Sequence, residues 1–178
     1  MTVTLRMSAV GAATALVVAG VALCAPVSAH AADEAVLAPL RGLIGARAAV
    51  EDIGADAPRR GLAKEQVLAD LETHLRDGGV RLLTAQELGT VPGRPRLLLR
   101  VVTVPNAQAT EYACSLRLVL VQGVTLERDA RIRVDSRTWE TSLTGIAKAE
   151  DLIAVIRARA CDLADLFARD LRAAHVTH

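Results

Sequence analysis

The sequence predicts an α+β fold: one mainly antiparallel sheet of about five strands, with two helices packed on one of its faces. Three observations carry that expectation. Two segments, Ala63–Asp77 and Lys148–Ala174, place apolar residues at helical spacing. Between them, Arg96–Val104, Glu111–Gln122 and Arg131–Leu143 read as strands joined by short turns. The resulting order, β-α-β-β-β-β-α with neighbouring hairpins, is that of a sheet with its helices gathered on one side.

Residues 1–31 have the three-part layout of a secretion signal: Arg6 near the start, an uncharged run from Ser8 to Ala29, and small residues at Ala29 and Ala31. Cleavage is expected after Ala31. A retained membrane anchor fits less well, because Pro26 interrupts the run and much of it is Ala and Gly. Val21-Ala22-Leu23-Cys24 resembles a lipobox, but Leu23 is bulky where a small residue normally precedes the acylated cysteine, so lipidation at Cys24 is the lesser reading. No second hydrophobic span follows, and no membrane span is expected after cleavage. Export places the mature chain in the periplasm or outside the cell.

Residues 32–45 read as a flexible lead-in, since Pro39, Gly42 and Gly45 interrupt any helix. A single domain is expected over 46–174, with a tail at 175–178. Arg47–Ile53 is a plausible first strand, weakened by its alanines, and Gly54–Gly61 is a polar loop. The first helix aligns Val67, Leu68, Leu71 and Leu75 on one stripe and stops at Gly78-Gly79. Val80–Leu83 reads as a short strand and Thr84–Pro95 as a loop. In Glu111–Gln122, Tyr112, Cys114, Leu116, Leu118 and Leu120 point one way, with Ala113, Ser115, Arg117, Val119 and Val121 the other. Gly123 is expected to bend that strand before it continues through Val124–Arg128, and Asp129-Ala130 forms the turn into Arg131–Leu143. The last helix carries Glu150 and Asp151 in its first turn and Arg169 and Arg172 in its last, matching the helix dipole. Its buried stripe is Leu152, Ile156, Leu163, Phe167 and Leu171.

Several of these segments taken together look familiar. Val50-Glu51-Asp52, the run from Gly61 to Val80, the leucine-rich Leu97–Val104, Tyr112 to Gln122 and Thr138-Trp139 resemble a group of uncharacterised exported bacterial α+β proteins with no assigned activity. In element order the chain is also similar to small periplasmic domains such as the amino-terminal domain of TolB-like proteins. Neither resemblance brings a catalytic motif with it, and fold analogy is only a prior on function.

Composition narrows the function classes. Cleavage would remove 31 of the 178 residues, leaving enough chain for one domain with a real core. It removes one of 21 basic side chains and none of the 20 acidic ones, so the mature chain is balanced and has no global pull toward nucleic acid. There is no GxSxG, HExxH, GxxxxGK[ST] or GxGxxG, and no calcium-loop spacing. The expectation is therefore a non-catalytic protein without a cofactor.

The residues with the best claim to a site lie on the outward face of the sheet. With Ile132 and Val134 toward the helices, Arg131, Arg133, Asp135, Arg137 and Trp139 fall on the opposite face, and neighbouring strands add Arg117 and Arg100. Arginines beside a tryptophan suit phosphate, sulfate or an acidic glycan, gripped by forked hydrogen bonds. The competing reading is a solvated face whose arginines pair with Asp135, Glu127 and Glu140, as open antiparallel sheets ordinarily show.

Cys114 and Cys161 survive processing, and an oxidising compartment permits a disulfide. Cys161 lies roughly 150° around its helix from the apolar stripe, which favours two unpaired thiols over a bond. Arg159 sits at the stripe's edge and is expected to reach water along its own methylenes. His74 lies on the first helix, and His175-Val176-Thr177-His178 lacks a third ligand, so no metal site is expected. The leading expectation is a periplasmic or secreted accessory domain that binds an envelope protein or complex. The alternative is a binder of a small anion or acidic glycan through the same arginines.

Overall fold

A computed structural model describes residues 34–176. The segment read as a signal sequence, the lipobox-like Cys24 and His178 lie outside the described residues. Among the described residues, four strands form one sheet: β1 (Arg47–Asp52), β2 (Arg96–Pro105), β3 (Glu111–Leu126) and β4 (Asp129–Lys148), in that spatial order. β1 and β2 are parallel and the other pairs antiparallel, so the sheet is mixed and has four strands where about five were expected. A parallel pair needs a crossover. Here it consists of α2 (Asp56–Arg59), α3 (Lys64–Asp77) and α4 (Ala85–Thr90).

The missing strand is Val80–Leu83. It makes only an isolated parallel bridge between Ala46 and Leu82. The Ala46 N–H donates to the Arg81 carbonyl and the Leu83 N–H to the Ala46 carbonyl, both at 3.0 Å. Gly79 (φ 83°) turns the chain just before this segment and Thr84 caps α4 just after it, which leaves no length for a ladder. Thr84 and Glu87 form a reciprocal capping box, so Thr84–Pro95, expected as loop, begins with a helix.

Of the segment expected as a flexible lead-in, residues 34–45 carry three leucines that join the core. α1 (Glu34–Leu37) and a 3₁₀ turn (Ala38–Leu40) precede β1, and Leu37, Leu40 and Leu43 are all buried. Leucines three residues apart share one side of a tight helical turn. Pro39 lies in the first two positions of its turn, where a missing N–H costs nothing.

Both long helices lie on one face of the sheet. α3 packs over β1; α5 (Leu152–Val176) packs over β3 and β4 and against α3. Val67, Leu71 and Leu75 bury the inner stripe of α3. Leu152, Ile156, Leu163, Phe167 and Leu171 bury that of α5, with Ala160, Ala164 and Ala168 between them. Opposite lie the inner rows Leu97, Leu99 and Val101 of β2 and Leu116, Leu118 and Leu120 of β3. Each such large side chain, fully removed from water, contributes about 1.5–3 kcal/mol.

The helices are also cross-linked by polar contacts. Asp70 accepts from Arg157 Nε and Nη2 at 2.5 and 2.9 Å, His74 Nδ1 lies 3.3 Å from Asp165 Oδ1, and the Gly78 carbonyl accepts from Arg172 Nη1 at 2.6 Å. Partner numbers rise together, so α3 and α5 run in the same direction. They pack tightly at Gly78, just past the end of α3, where an added Cβ would sit 2.5 Å from the Ala168 methyl.

One irregularity decides which residues face which way. Leu120 pairs with Trp139 but Val121 pairs with Arg137, leaving Thr138 as an extra residue in β4. A bulge resets the two-residue alternation. Trp139 therefore does not share the outward face with Arg137, as strict alternation implied. It is 4% exposed, meets Phe167 edge-on with ring centroids 5.0 Å apart, and donates its indole N–H to Asp170 Oδ2 at 3.1 Å. Arg169 donates to the other oxygen of that carboxylate at 2.9 and 3.1 Å, so the buried charge is met on both sides. Ile132 and Val134 were expected under the helices. Both are exposed, because the end of the β3–β4 hairpin extends past the helix-covered part of the sheet.

Candidate functional site

Among the described residues, no helix lies on the second face of the sheet, and the strand registers fix that face's composition row by row. Arg96, Val121 and Arg137 lie side by side across β2, β3 and β4; Leu98, Val119 and Glu140 form the next row. Arg100, Arg117 and Ser142 come next, followed by Val102, Ser115 and Thr144, then Val104, Ala113 and Ile146. The face is thus divided. One half bears guanidiniums; the other exposes Val102, Val104 and Ile146, the last of them 75% accessible.

In the basic half, Arg100 and Arg117 stand directly opposite each other on adjacent strands. Like charges in that position repel. With Arg137, Glu51, Leu98, Val119 and Val121 they line a shallow depression of about 200 Å³. Two acidic groups lie within ion-pairing reach, each close to a single arginine. Glu51 lies 3.8 Å from Arg100 and Glu140 lies 3.7 Å from Arg137, both beyond hydrogen-bond length. Arg117 has no ion-pair partner among the described residues. Exposed pairs of this sort are worth about 0–1 kcal/mol, little enough for an incoming anion to displace.

Three of the six residues expected at the site, Arg100, Arg117 and Arg137, are brought together. Arg133 lies further along β4, in a separate cleft with Gly93, Arg94, Gly123, Val134 and Asp135. Arg131 is taken up at the start of β4, just after the turn at residues 127–128, which comes two residues earlier than the expected Asp129-Ala130. Its Nε and Nη2 donate to the two Asp129 oxygens at 3.0 Å, and this fork lowers the Asp129 pKa and raises that of Arg131. A second register shift, between Thr125 and Leu126, separates Arg131 from the row of Arg133 and Arg137. Trp139 is in the core. Of the acids expected as partners, Asp135 pairs with Arg96 at 2.5 Å, and Glu140 stands near Arg137.

The remaining sequence candidates are structural. Cys114 and Cys161 are separate thiols. Burial raises the pKa of both, and Asp70, Asp165 and Asp162 add to the effect at Cys161. Arg159 reaches the surface and faces Asp162 at 3.3 Å. Sequence reasoning passed over Arg60, whose Nε donates to the Tyr112 hydroxyl at 3.1 Å while its guanidinium stacks 4.9 Å from that ring. Its other nitrogens donate to the Ala149 and Ala109 carbonyls, tying the α2 end to two loops. Among the described residues no three His, Cys, Asp or Glu side chains gather as metal ligands. No helix among them is long and apolar enough to cross a membrane.

These features define an α+β domain with one open sheet face, basic at one end and apolar at the other. No family model matches the chain, and no curated protein matches it. Among solved structures, the dodecamer of a PelC variant from Paraburkholderia phytofirmans is similar at 16% identity and a TM-score of 0.42, over 74% of this chain and 92% of that one. A second PelC dodecamer from that organism is similar at 17% identity and a TM-score of 0.39, over 71% and 87%.

Proposed function

We propose that this chain is an exported, non-catalytic accessory domain that binds a partner in the cell envelope through the open face of its sheet. The observation that carries this reading is the placing of Arg100 opposite Arg117, with Arg137 beside them and no carboxylate within hydrogen-bond length. A face that only needed solvation would gain from alternating its charges. Gathered guanidiniums instead suit an acidic surface, which they can meet by forked, charge-assisted hydrogen bonds. The signal-like residues 1–31 supply the expectation of export.

The test is mild cross-linking of the tagged mature chain in its native host, alongside the Arg117→Glu, Arg137→Glu double variant. The expected result is one consistent envelope protein captured by the native chain and lost with the variant. Equal capture by both chains would remove the arginine face as the contact surface.

The depression of about 200 Å³ also favours a second reading, in which the same three arginines hold a small anion or an acidic sugar. A ligand that binds only the folded state raises the melting temperature. Stabilisation by phosphate, sulfate or a uronate, lost in Arg117→Glu, would support it. A flat response across that panel would count against it.

A further inference from the structure

We propose that the cleft between Gly93 and Arg133 is a second acid-binding subsite, and that the occupant of the open face is an extended acidic segment of a protein whose carboxylates enter both clefts. This rests on the reading of the arginine face as a binding surface and adds to it the ligand's chemistry and length.

The cleft lies beside a close approach of two glycines, where a Cβ on Gly123 would sit 3.5 Å from the Gly93 carbonyl oxygen. β3 pairs Gly123 with Asp135, and the Gly123 N–H donates to the Gly93 carbonyl at 2.6 Å, which lays Gly93 alongside β3 where β2 has not yet begun. The two glycines border a hollow of about 230 Å³, together with Arg94, Arg133, Val134 and Asp135. Neither Arg94 nor Arg133 has an ion-pair partner among the described residues. Asp135 would oppose an anion if it were free, but the Arg96 guanidinium 2.5 Å away balances it.

Arg94 is held there against its own backbone preference. Its φ is +45°, a conformation costly for any residue with a Cβ, and it precedes Pro95, which further restricts the preceding residue to extended geometry. Strain of this kind persists where the surroundings or a function require it. Glycine at position 94 would relieve the φ penalty and would remove the guanidinium from the cleft.

Both clefts adjoin one strand. Val121 lines the first and Gly123 the second, and their arginines lie on the same face: Arg137 is opposite Val121 and Arg133 opposite Thr125, four residues along β3, about 13 Å. In an extended peptide, side chains four residues apart share a face and span that distance. A protein segment is favoured over a glycan for two reasons. The chain's three aromatic side chains, Tyr112, Trp139 and Phe167, are all buried, so the face offers no ring for a sugar to stack on. The exposed Val102, Val104 and Ile146 at the far end suit apolar side chains of a protein partner.

The experiment is fluorescence anisotropy of labelled hexapeptides with the mature chain: alternating Glu-Thr-Glu-Thr-Glu-Thr against a peptide with a single Glu. Two linked contacts should make the alternating peptide bind at least about tenfold more tightly. Arg94→Gly and Arg133→Glu should each lower its affinity toward that of the single-Glu peptide, as should Gly123→Val, which adds bulk at the wall of the hollow, against Gly93, without altering charge. Arg94→Gly should do so with an equal or higher melting temperature, which separates loss of a ligand contact from loss of fold.

If Arg94→Gly, Arg133→Glu and Gly123→Val all leave binding unchanged while Arg117→Glu abolishes it, the second subsite is overturned and the arginine face stands. Tighter binding of hexagalacturonate than of the peptide would overturn the protein partner in favour of a glycan. If no acidic probe binds even at low salt, both the subsite and the acid-binding reading of the face fall.

Discussion

The two faces of β3 offer a comparison within one strand. Toward the helices, Leu116, Leu118 and Leu120 have lost essentially all contact with water beneath α5. On the other side, Ser115, Arg117, Val119 and Val121 alternate with them; Val119 is buried among its neighbours, while the other three are half-buried or exposed. The inner row is fixed by volume, because every atom there is in contact. Apart from Val119, the outer row is open to solvent, so the unfavourable pairing of Arg100 with Arg117 is better explained by what the face binds than by what holds the fold.

Substitutions can sharpen or break that contrast. The largest effect is expected from Leu118→Ala, which should cost about 2–5 kcal/mol in urea unfolding. A loss below about 1 kcal/mol would mean that the helix layer sits more loosely than described. Trp139→Phe keeps an aromatic ring against Phe167 but removes the indole donor to Asp170, and a loss of about 1–3 kcal/mol is expected. Gly78→Ala drives a methyl to within 2.5 Å of Ala168 at the contact of α3 with α5. The helices must part, at about 1–3 kcal/mol.

A smaller effect should appear on acidification. Hydrogen bonding from Arg157 lowers the Asp70 pKa below its usual 3.8, partly offset by burial. A carboxylate with a depressed folded pKa adds stability that is complete above the unfolded value and is lost as pH falls through the folded one. The pair's contribution, about 1 kcal/mol or less for so accessible a site, should hold from neutral pH down to about 5 and fade below about 4. Asp70→Asn should flatten that part of the pH–stability curve, and an unchanged curve would sever the link between Asp70 and acid stability. Smallest of all, Arg117→Ser should change stability by no more than about 0.5 kcal/mol, since it touches only the open face. A large loss there would break the contrast between the faces.

Much of the fold was legible because periodicity reports burial. The stripes of α3 and α5 and the inward row from Tyr112 to Leu120 all face as their spacing implied. What failed did so where local pattern yields to register. The bulge at Thr138 turned Trp139 from the expected binding face into the core, and nothing in an alternating run announces an extra residue. A parity count also could not show that the hairpin outruns the helices, so Ile132 and Val134 were placed under cover they do not have. Other signals were present and unread. Thr84 followed three residues later by Glu87 marks a helix start, and leucines at 37, 40 and 43 mark a buried turn. The cleft at Gly93 was not legible, because it depends on a backbone contact between glycines 30 residues apart in sequence.

The inward turn of Trp139 also gives the molecule its own optical reporter. It is the sole indole in the chain, enclosed where β4 meets α5, with a carboxylate on its N–H and a phenyl ring on its face. Its emission should be blue in the native state and shift to the red when α5 lifts from the sheet, with no label added. Because it lies on the opposite side of the sheet from the arginines, ligands captured by the open face should leave that emission colour unchanged. Binding and unfolding can therefore be followed in one sample through separate signals.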